Sequence, residues 1–244
     1  MTIRQLLALT ACWLIFLSPV RADNQHLAWS HRKIQRDARS EQAESAIPSA
    51  IAVRSGTGEI AIVGDDHLVR IRDRSTGNLV RVFETHSDWL KTAVYSPDGK
   101  TLFTAGADHT IIAWNAENEN DFQRFTVEGR SIESMAIDPT GALLASVGFD
   151  NQLSVYDVSN RKLLYQSDCP CSDMRTVAFS PKGDRIAVGG RCGMIRILNA
   201  ENGSKVCDLA AHHKRIRKLV FLTADQVVSC SDDQDRKSTR LNSS

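Results

Sequence analysis

The chain has no excess of charge of either sign. Its 244 residues include 30 lysines and arginines and 29 aspartates and glutamates, which gives a formal net charge of +1 at pH 7. Proteins that bind nucleic-acid phosphates usually carry a strong basic excess, so the composition gives no reason to expect a nucleic-acid partner. Hydrophobic residues at 42% and charged residues at 24% are typical of a globular chain with a core, and they exclude a mainly disordered chain.

The sequence also lacks the short motifs of the common chemistries. It contains no His-Glu-x-x-His, no paired Cys-x-x-Cys, no Gly-x-Ser-x-Gly and no phosphate-binding glycine loop. We therefore expect no catalytic residue, no metal site and no cofactor, and the seven histidines are expected to have structural or surface roles.

Long apolar runs are absent except near the N-terminus, where one extends from Leu6 to Leu17. A positive charge precedes the run, and small residues suitable for cleavage follow it up to Ala22. This order predicts a secretory signal peptide over residues 1–22, because a membrane-spanning helix needs about 20 apolar residues. We expect a periplasmic or extracellular protein without a membrane span once the signal is removed. An uncleaved anchor, or lipid attachment at Cys12, is the alternative.

One pattern recurs every 42 residues. Each copy has a glycine at the end of an apolar run, where conformational freedom suits the following turn, and an aspartate or asparagine nine residues later. A Pro-x-Gly turn precedes the glycine in three copies. A period near 42 predicts four antiparallel strands per copy. The marker residues are Gly64, Gly106, Gly148 and Gly190, followed by Asp73, Asn115, Asp157 and Asn199.

Over residues 47–234 these motifs resemble the WD-repeat β-propeller family. The family's Trp-Asp dipeptide corresponds to Arg72-Asp73, Trp114-Asn115, Tyr156-Asp157 and Leu198-Asn199. The resemblance implies an all-β propeller of about four blades plus part of a fifth.

In the family, four side chains hydrogen-bond across a blade. The second repeat matches this structural tetrad with His86, Thr104, Asp108 and Trp114. The third repeat matches it less well, because Glu128 stands in the histidine position. In the first repeat Arg72 replaces the tryptophan.

Two segments lie outside the predicted blades. Residues 23–46 show no turn pattern and are predicted to be a leader of unknown structure. Residues 235–244 resemble the translation of a sequencing adapter, and the apolar alternation of the repeats stops after Asp233. We therefore expect the last ten residues to be an artefact and the chain to be truncated within its fifth blade.

Five cysteines follow the predicted signal peptide. Two periods after His86 and Asp108 lie Pro170 and Cys192, so Cys169 and Cys171 flank the position of the histidine. Export permits disulfides. We expect a disulfide from Cys171, or from Cys169, to Cys192, with packed reduced thiols as the alternative.

In the resembled family, the face that carries the tight turns and the connections between blades binds partners. Three positions per repeat project to this face, and the candidate residues are Trp89, Lys91, Phe149, Arg175, Arg191, Arg215 and Arg217. The arginines predict a partner with acidic groups, and the aromatic residues predict apolar anchors. The resemblance implies a non-catalytic protein-interaction scaffold. The alternatives are a merely solvated rim, or the recognition module of a larger enzyme or electron-transfer protein whose catalytic domain is missing from this fragment.

Overall fold

The computed structural model describes residues 46–125, 127, 131–234 and 236–241, and these residues contain nineteen β-strands and no helix. The prediction of an all-β chain built from repeated sheets is confirmed. Within these ranges, the structure has no helix that is long and apolar enough to cross a membrane. The predicted signal peptide, the predicted leader up to residue 45, and Glu128 lie outside the described residues.

The strands form five antiparallel sheets in chain order. The first sheet contains β1 (Pro48–Val53), β2 (Glu59–Gly64), β3 (Leu68–Asp73) and β4 (Leu79–Glu84). The second contains β5 (Leu90–Tyr95), β6 (Thr101–Gly106), β7 (Ile111–Asn115) and β8 (Asn118–Arg124). The third contains β9 (Ile132–Ile137), β10 (Leu143–Gly148), β11 (Gln152–Asp157) and β12 (Lys162–Asp168). The fourth contains β13 (Met174–Phe179), β14 (Arg185–Gly190), β15 (Met194–Asn199) and β16 (Lys205–Ala210). The fifth contains β17 (Ile216–Thr223), β18 (Gln226–Ser231) and β19 (Arg236–Arg240).

The Pro-x-Gly turns reverse the chain between the first two strands of a sheet. Gly99, Gly141 and Gly183 have φ values of 70°, 81° and 77°, a region that suits glycine. In the second sheet, Gly99 N–H donates to Ser96 O at 2.9 Å, and Ser96 Oγ donates to Asp98 Oδ1 at 2.6 Å. Backbone and side-chain hydrogen bonds therefore both close the turn that the sequence predicted.

The core lies between successive sheets, and the inner strands bury side chains on both faces. On β6, Leu102 packs towards the first sheet with Val69 and Phe83. The next residue, Phe103, packs towards the third sheet with Tyr156. Because neighbouring residues of a strand point to opposite faces, a strand covered on both sides needs a nearly continuous apolar run.

Two apolar side chains of β1 are exposed on one face of the strand, whereas the corresponding side chain of β5, the innermost strand of the second sheet, is buried. Ile51 and Val53 are 40% and 48% exposed. Tyr95, which lies 42 residues after Val53, is 6% exposed and packs in the cluster between the first two sheets. The first sheet therefore presents apolar side chains to solvent where the second sheet contacts its neighbour.

Hydroxyl groups connect the innermost strands of neighbouring sheets. Thr92 Oγ1 accepts a hydrogen bond from Met135 N–H at 3.2 Å, and Thr176 Oγ1 accepts one from Leu219 N–H at 3.1 Å. Thr92 and Thr176 are two periods apart, and Ser134 lies midway between them. All three are buried. The sequence interpretation missed this position, although the period of 42 marks it.

The fifth sheet includes β19, which lies in the segment predicted to be outside the propeller. Its backbone pairs with β18, as in the pair Val227 and Thr239. Backbone pairing requires no particular side chain. None of the described side chains of β19 is buried, whereas the third strands of the other four sheets each contain at least two buried residues. The described part of β19 therefore lacks the buried side chains of the other third strands. The end of the repeats after Asp233 and the artefactual origin of residues 235–244 stay predictions.

Candidate functional site

The loop face is defined here as the end of the sheets that carries the turns at residues 65–67, 107–110, 149–151 and 191–193. Near this face the innermost strand of every sheet contains a β-bulge, because its pairing with the second strand skips one residue. A bulge re-aims the side chain of the extra residue. The skipped residues recur every 42 positions and are Ser49, Lys91, Glu133, Arg175 and Arg217.

The recurring glycine lies opposite this bulge. A Cβ atom at Gly106 would lie 1.9 Å from Trp89 O, and one at Gly148 would lie 2.0 Å from Ser131 O. Glycine is therefore required because the backbone of the innermost strand approaches closely. The expectation that these glycines provide conformational freedom is wrong, since neither of them has a positive φ.

Two aromatic side chains are exposed on the loop face, and each contacts a cation from a bulge. Trp89 and Phe149 are 50% and 42% exposed. Lys91 Nζ lies 4.7 Å from the centroid of the Trp89 ring, and Arg175 Cζ lies 4.5 Å from that of the Phe149 ring. Such cation–π contacts favour one position of an exposed ring. The structure therefore holds two apolar surfaces in defined positions.

Ion pairs connect the third, fourth and fifth sheets on the same face. Arg175 Nη1 donates to Glu133 Oε2 at 2.7 Å, and Arg175 Nε lies 2.5 Å from Asp173 Oδ1. Arg215 Nη2 donates to the second carboxylate oxygen, Asp173 Oδ2, at 2.9 Å. Asp173, with a φ of 64°, therefore lies between two guanidinium groups from neighbouring sheets.

Three of the four arginines expected to attract an acidic partner are paired with carboxylates of this chain. Besides Arg175 and Arg215, Arg217 Nε donates to Asp232 Oδ1 at 2.6 Å. Arg191 is exposed and makes no ion pair within the described residues. The prediction that these arginines attract an acidic partner stays a prediction. Within the described residues, Lys91 and Arg191 are the cations of the candidate set for which no ion pair is found.

The predicted tetrad residues of the second sheet are connected by hydrogen bonds. His86 Nδ1 lies 2.6 Å from Asp108 Oδ2, and His86 Nε2 lies 2.7 Å from Thr104 Oγ1. Trp114 Nε1 donates to Thr104 Oγ1 at 2.8 Å. Burial by itself would raise the pKa of Asp108, but the hydrogen bond and charge of His86, with the hydrogen bonds from Thr110, lower this pKa to about 2. The buried polar groups of the network thus have partners, as burial requires.

The other sheets reproduce this network only in part. In the fifth sheet, His212 Nε2 lies 2.8 Å from Ser229 Oγ, and His212 Nδ1 lies 3.1 Å from Asp233 Oδ2. In the first sheet, the tryptophan position is occupied by Arg72, whose Nη1 donates to Gly77 O at 2.8 Å. His86 and His212 lie 126 residues apart, which is three periods, and they make equivalent contacts in the second and fifth sheets.

All five cysteines in the described part of the chain are free thiols. Cys171 Sγ accepts a hydrogen bond from Cys192 N–H at 3.3 Å, so two of the predicted disulfide partners are adjacent. Cys169 is buried in the cluster between the third and fourth sheets, and this burial raises the pKa of its thiol to about 12. The structure contains no disulfide among these residues, and the disulfide stays a prediction.

The described residues contain no group of three His, Cys, Asp or Glu side chains that could hold a metal ion. A cavity of about 500 Å³ opens at the end of the sheets opposite the loop face. The guanidinium of Arg54, which lines this cavity, forms ion pairs with Glu59 and Glu117. The loop face, with its exposed rings and unpaired cations, is therefore the candidate site.

Successive four-stranded antiparallel sheets with a bulge and a glycine in the same place define a repeat protein of the propeller-blade type. Comparison with known families gives the particular family. Residues 77–115, 122–157 and 162–199 match the family model described as "WD domain, G-beta repeat". The chain is a WD-repeat protein. The first match begins two residues before β4, the second within β8 and the third at the start of β12, and each ends with the third strand of the next sheet.

Curated relatives also contain WD repeats or are named for nuclear distribution. The nuclear distribution protein PAC1-2 of Uncinocarpus reesii is 25% identical over 192 residues, which cover 77% of this chain and 37% of the relative. The nuclear distribution protein PAC1 of Arthroderma benhamiae is 26% identical over 177 residues, covering 72% and 34%. WD repeat-containing protein 36 of Homo sapiens is 28% identical over 71 residues, covering 29% and 8%. The chain spans about a third of the length of the two nuclear distribution proteins.

Proposed function

We propose that this chain is a non-catalytic protein-interaction scaffold that binds its partner through the loop face. The observation that carries the proposal is the pair of exposed rings, Trp89 and Phe149, each held by a cation from a bulge. Aromatic and arginine side chains are frequent anchors of interfaces. A surface already held in place needs little ordering on association, which favours affinity.

The match to WD repeats supports a binding role. Two of the relatives are named for nuclear distribution. Identities of 25% and 26% support a shared fold more strongly than a shared partner. The partner of this chain is therefore inferred from its own loop face.

We infer that the partner presents acidic groups beside an apolar segment. In the second to fifth repeats, the three predicted positions hold five cations and three carboxylates. The cations are Lys91, Arg175, Arg191, Arg215 and Arg217, and the carboxylates are Glu133, Asp173 and Asp232. Partner carboxylates would meet Lys91 and Arg191, because these cations have no carboxylate partner within the described residues. Apolar side chains of the partner would contact Trp89 and Phe149.

The aromatic part of the proposal is tested with the variant Trp89→Ala/Phe149→Ala. The protein is immobilised, and the captured proteins are quantified by mass spectrometry. We expect capture of the specific partner to fall about tenfold or more, which corresponds to about 1.4 kcal/mol. The matched control is Leu164→Ala/Val206→Ala, since these residues lie on outermost strands and are 51% and 50% exposed. Equal capture by the two variants would contradict the use of the loop face.

The acidic preference is tested by reversing an unpaired charge. Arg191→Glu should weaken capture of the same partner and reduce its dependence on salt, because an attractive interaction becomes repulsive. Lys182→Glu is the matched control, since Lys182 is exposed in the turn at the opposite end of β14. Arg175 and Arg217 are less suitable, because reversing them would break ion pairs within the protein. Weakening by both variants alike would show a general charge effect rather than a site.

We also propose export, on the composition of residues 1–22 alone. The proposal is supported by an apolar run too short for a spanning helix and followed by small residues. The test is N-terminal sequencing of the mature protein from the cells that make it. We expect the mature chain to begin near Asp23, and a chain that keeps Met1 would contradict cleavage.

A further inference from the structure

The turn after the second strand is hydrogen-bonded to the segment before the innermost strand through a turn carboxylate. In the first sheet, Ile47 N–H donates to Asp65 Oδ1 at 2.7 Å, and the second and fifth sheets use a different pair of positions. In the second sheet, Ser87 N–H donates to Asp108 Oδ2 at 3.3 Å beside the contact with His86. In the fifth sheet, His213 N–H donates to Asp233 Oδ2 at 3.1 Å. In both the second and the fifth sheet, a carboxylate of the turn receives a hydrogen bond from the preceding segment.

In the fourth sheet, cysteines occupy these two positions. Cys171 and Cys192 lie two periods after Ser87 and Asp108. The hydrogen bond also runs the other way, because the turn now provides the donor: Cys192 N–H donates to Cys171 Sγ at 3.3 Å. The backbone places the two residues together even though the carboxylate is absent.

We propose that Cys171 and Cys192 form a disulfide that fastens this turn of the loop face. The amide nitrogen of Cys192 is 3.3 Å from Cys171 Sγ. Since N and Cα are about 1.5 Å apart, Cys171 Sγ lies within about 5 Å of the Cys192 Cα. The sulfur of Cys171 therefore lies close enough to the backbone of Cys192 for the Cys192 side chain to reach it. The disulfide itself requires a Cα–Cα separation of about 4.4–6.8 Å.

The surroundings favour Cys171 over Cys169 as the partner. Cys169 is 6% exposed and packs in the apolar cluster between the third and fourth sheets. Burial raises the pKa of the Cys169 thiol to about 12 and that of the Cys171 thiol to about 11, the latter together with a hydrogen bond to Cys192. Cys171 is less buried than Cys169, and its sulfur already contacts the turn, so it is the better placed of the two thiols. Cys192 is exposed in the turn, where a donor can reach it.

The oxidant is a small disulfide such as oxidised glutathione, and the reaction is thiol–disulfide exchange. The Cys192 thiolate attacks one sulfur of the donor, which breaks the donor S–S bond and releases one thiolate. The Cys171 thiolate then attacks the Cys192 sulfur of the mixed disulfide and releases the second donor thiolate. The two protons lost by the cysteines are taken up by the two donor thiolates, so the two cysteines are oxidised and one donor disulfide is reduced.

The closed loop would contain about 20 residues, for which chain entropy predicts a measurable gain in stability. Reduction should therefore lower the Tm by roughly 6–12 °C. The bond would also hold Arg191, the neighbour of Cys192, on the loop face.

The full chain is purified without reductant, equilibrated with oxidised glutathione, alkylated, digested with trypsin and analysed by mass spectrometry. Trypsin releases Cys192 in the peptide 192–196 and both Cys169 and Cys171 in the peptide 163–175. We expect these two peptides to be linked in the wild type and to separate after reduction. Cys169→Ser, Cys207→Ser and Cys230→Ser should keep the link, and Cys171→Ser should abolish it.

A second variant, Cys192→Ser, tests the same bond independently in case Cys171→Ser does not fold. Cys192→Ser changes an exposed turn residue, and it should leave Cys171 open to alkylation and remove the effect of reductant on the Tm. The proposal is overturned if Cys192 remains fully alkylated after treatment of the wild type, or if the link survives in Cys171→Ser.

Discussion

The carboxylate of Asp108 can be buried in the second sheet because it belongs to a hydrogen-bond network with three other side chains. Asp108 contacts His86, His86 contacts Thr104, and Thr104 accepts a hydrogen bond from Trp114. The side chain of Asp108 is 2% exposed. Removal of one member would take a hydrogen-bonding partner from its neighbour in the network, and an unsatisfied buried polar group is costly.

This network predicts a dependence of stability on pH. The pKa of Asp108 is lowered from 3.8 to about 2, so the unfolded chain binds the proton more readily than the folded chain. The contribution of the carboxylate is therefore fully present above about pH 4 and is lost as the pH falls through about 2.

Asp108→Asn should lower the free energy of unfolding by about 2 kcal/mol near pH 7 and make the loss of stability between about pH 4 and pH 2 less steep. Urea denaturation at several pH values measures both effects. Asp121→Asn is the matched control, because Asp121 is exposed on β8, and a parallel change in both variants would contradict the role of Asp108.

Among single residues, the hydrogen-bond network of the tetrad could be predicted from the sequence, whereas the ion pairs of the loop face could not. The tetrad could be predicted because its residue types match a motif at fixed spacing. The pairing of Arg175 and Arg215 could not, because their partner Asp173 adopts a φ of 64°, and nothing in the sequence pattern gives that angle.

At the scale of strands, the bulge and its glycine form one unit. The bulge turns Lys91, Glu133, Arg175 and Arg217 out of the alternation of the innermost strand. The recurring glycine on the second strand leaves room for the backbone of the bulged innermost strand. The period of 42 predicted both positions, but not their relation, because the strand register is not visible in the residue types.

Gly106→Ala should therefore destabilise the protein by at least about 2 kcal/mol, since the new Cβ would lie 1.9 Å from Trp89 O. Gly58→Ala is the control. There the nearest atom to the new Cβ is Asp73 Oδ2 at 3.6 Å, and we expect a change within about 0.5 kcal/mol. Chemical denaturation of both variants measures the difference, and similar stabilities would show that the strand accommodates the extra carbon.

At the scale of the whole molecule, the stability of each sheet depends on the next. Apolar clusters fill the spaces between successive sheets, and the hydroxyls of Thr92 and Thr176 connect their innermost strands. The first sheet departs from this arrangement, because Ile51 and Val53 of β1 face solvent. Exposed apolar surface of this kind favours association.

The chain should therefore self-associate when it is expressed alone, and Ile51→Lys/Val53→Lys should reduce this association. Size-exclusion chromatography with light scattering measures the mass of the particles. The control is Leu164→Lys/Val206→Lys, which places the same charges on outermost strands with similar exposure. A wild-type chain that elutes as a uniform monomer and melts cooperatively would contradict the prediction.

The offset between sequence repeats and sheets has a genetic consequence. A matched repeat carries all or part of the outermost strand of one sheet together with three strands of the next. Recombination between corresponding codons of two repeats therefore removes or adds one complete period, wherever in the repeat the crossover falls. Every sheet in the product still receives strands of the right kind in the right order. Such a gene can change its number of sheets by whole units, without any requirement that the break occurs at a structural boundary.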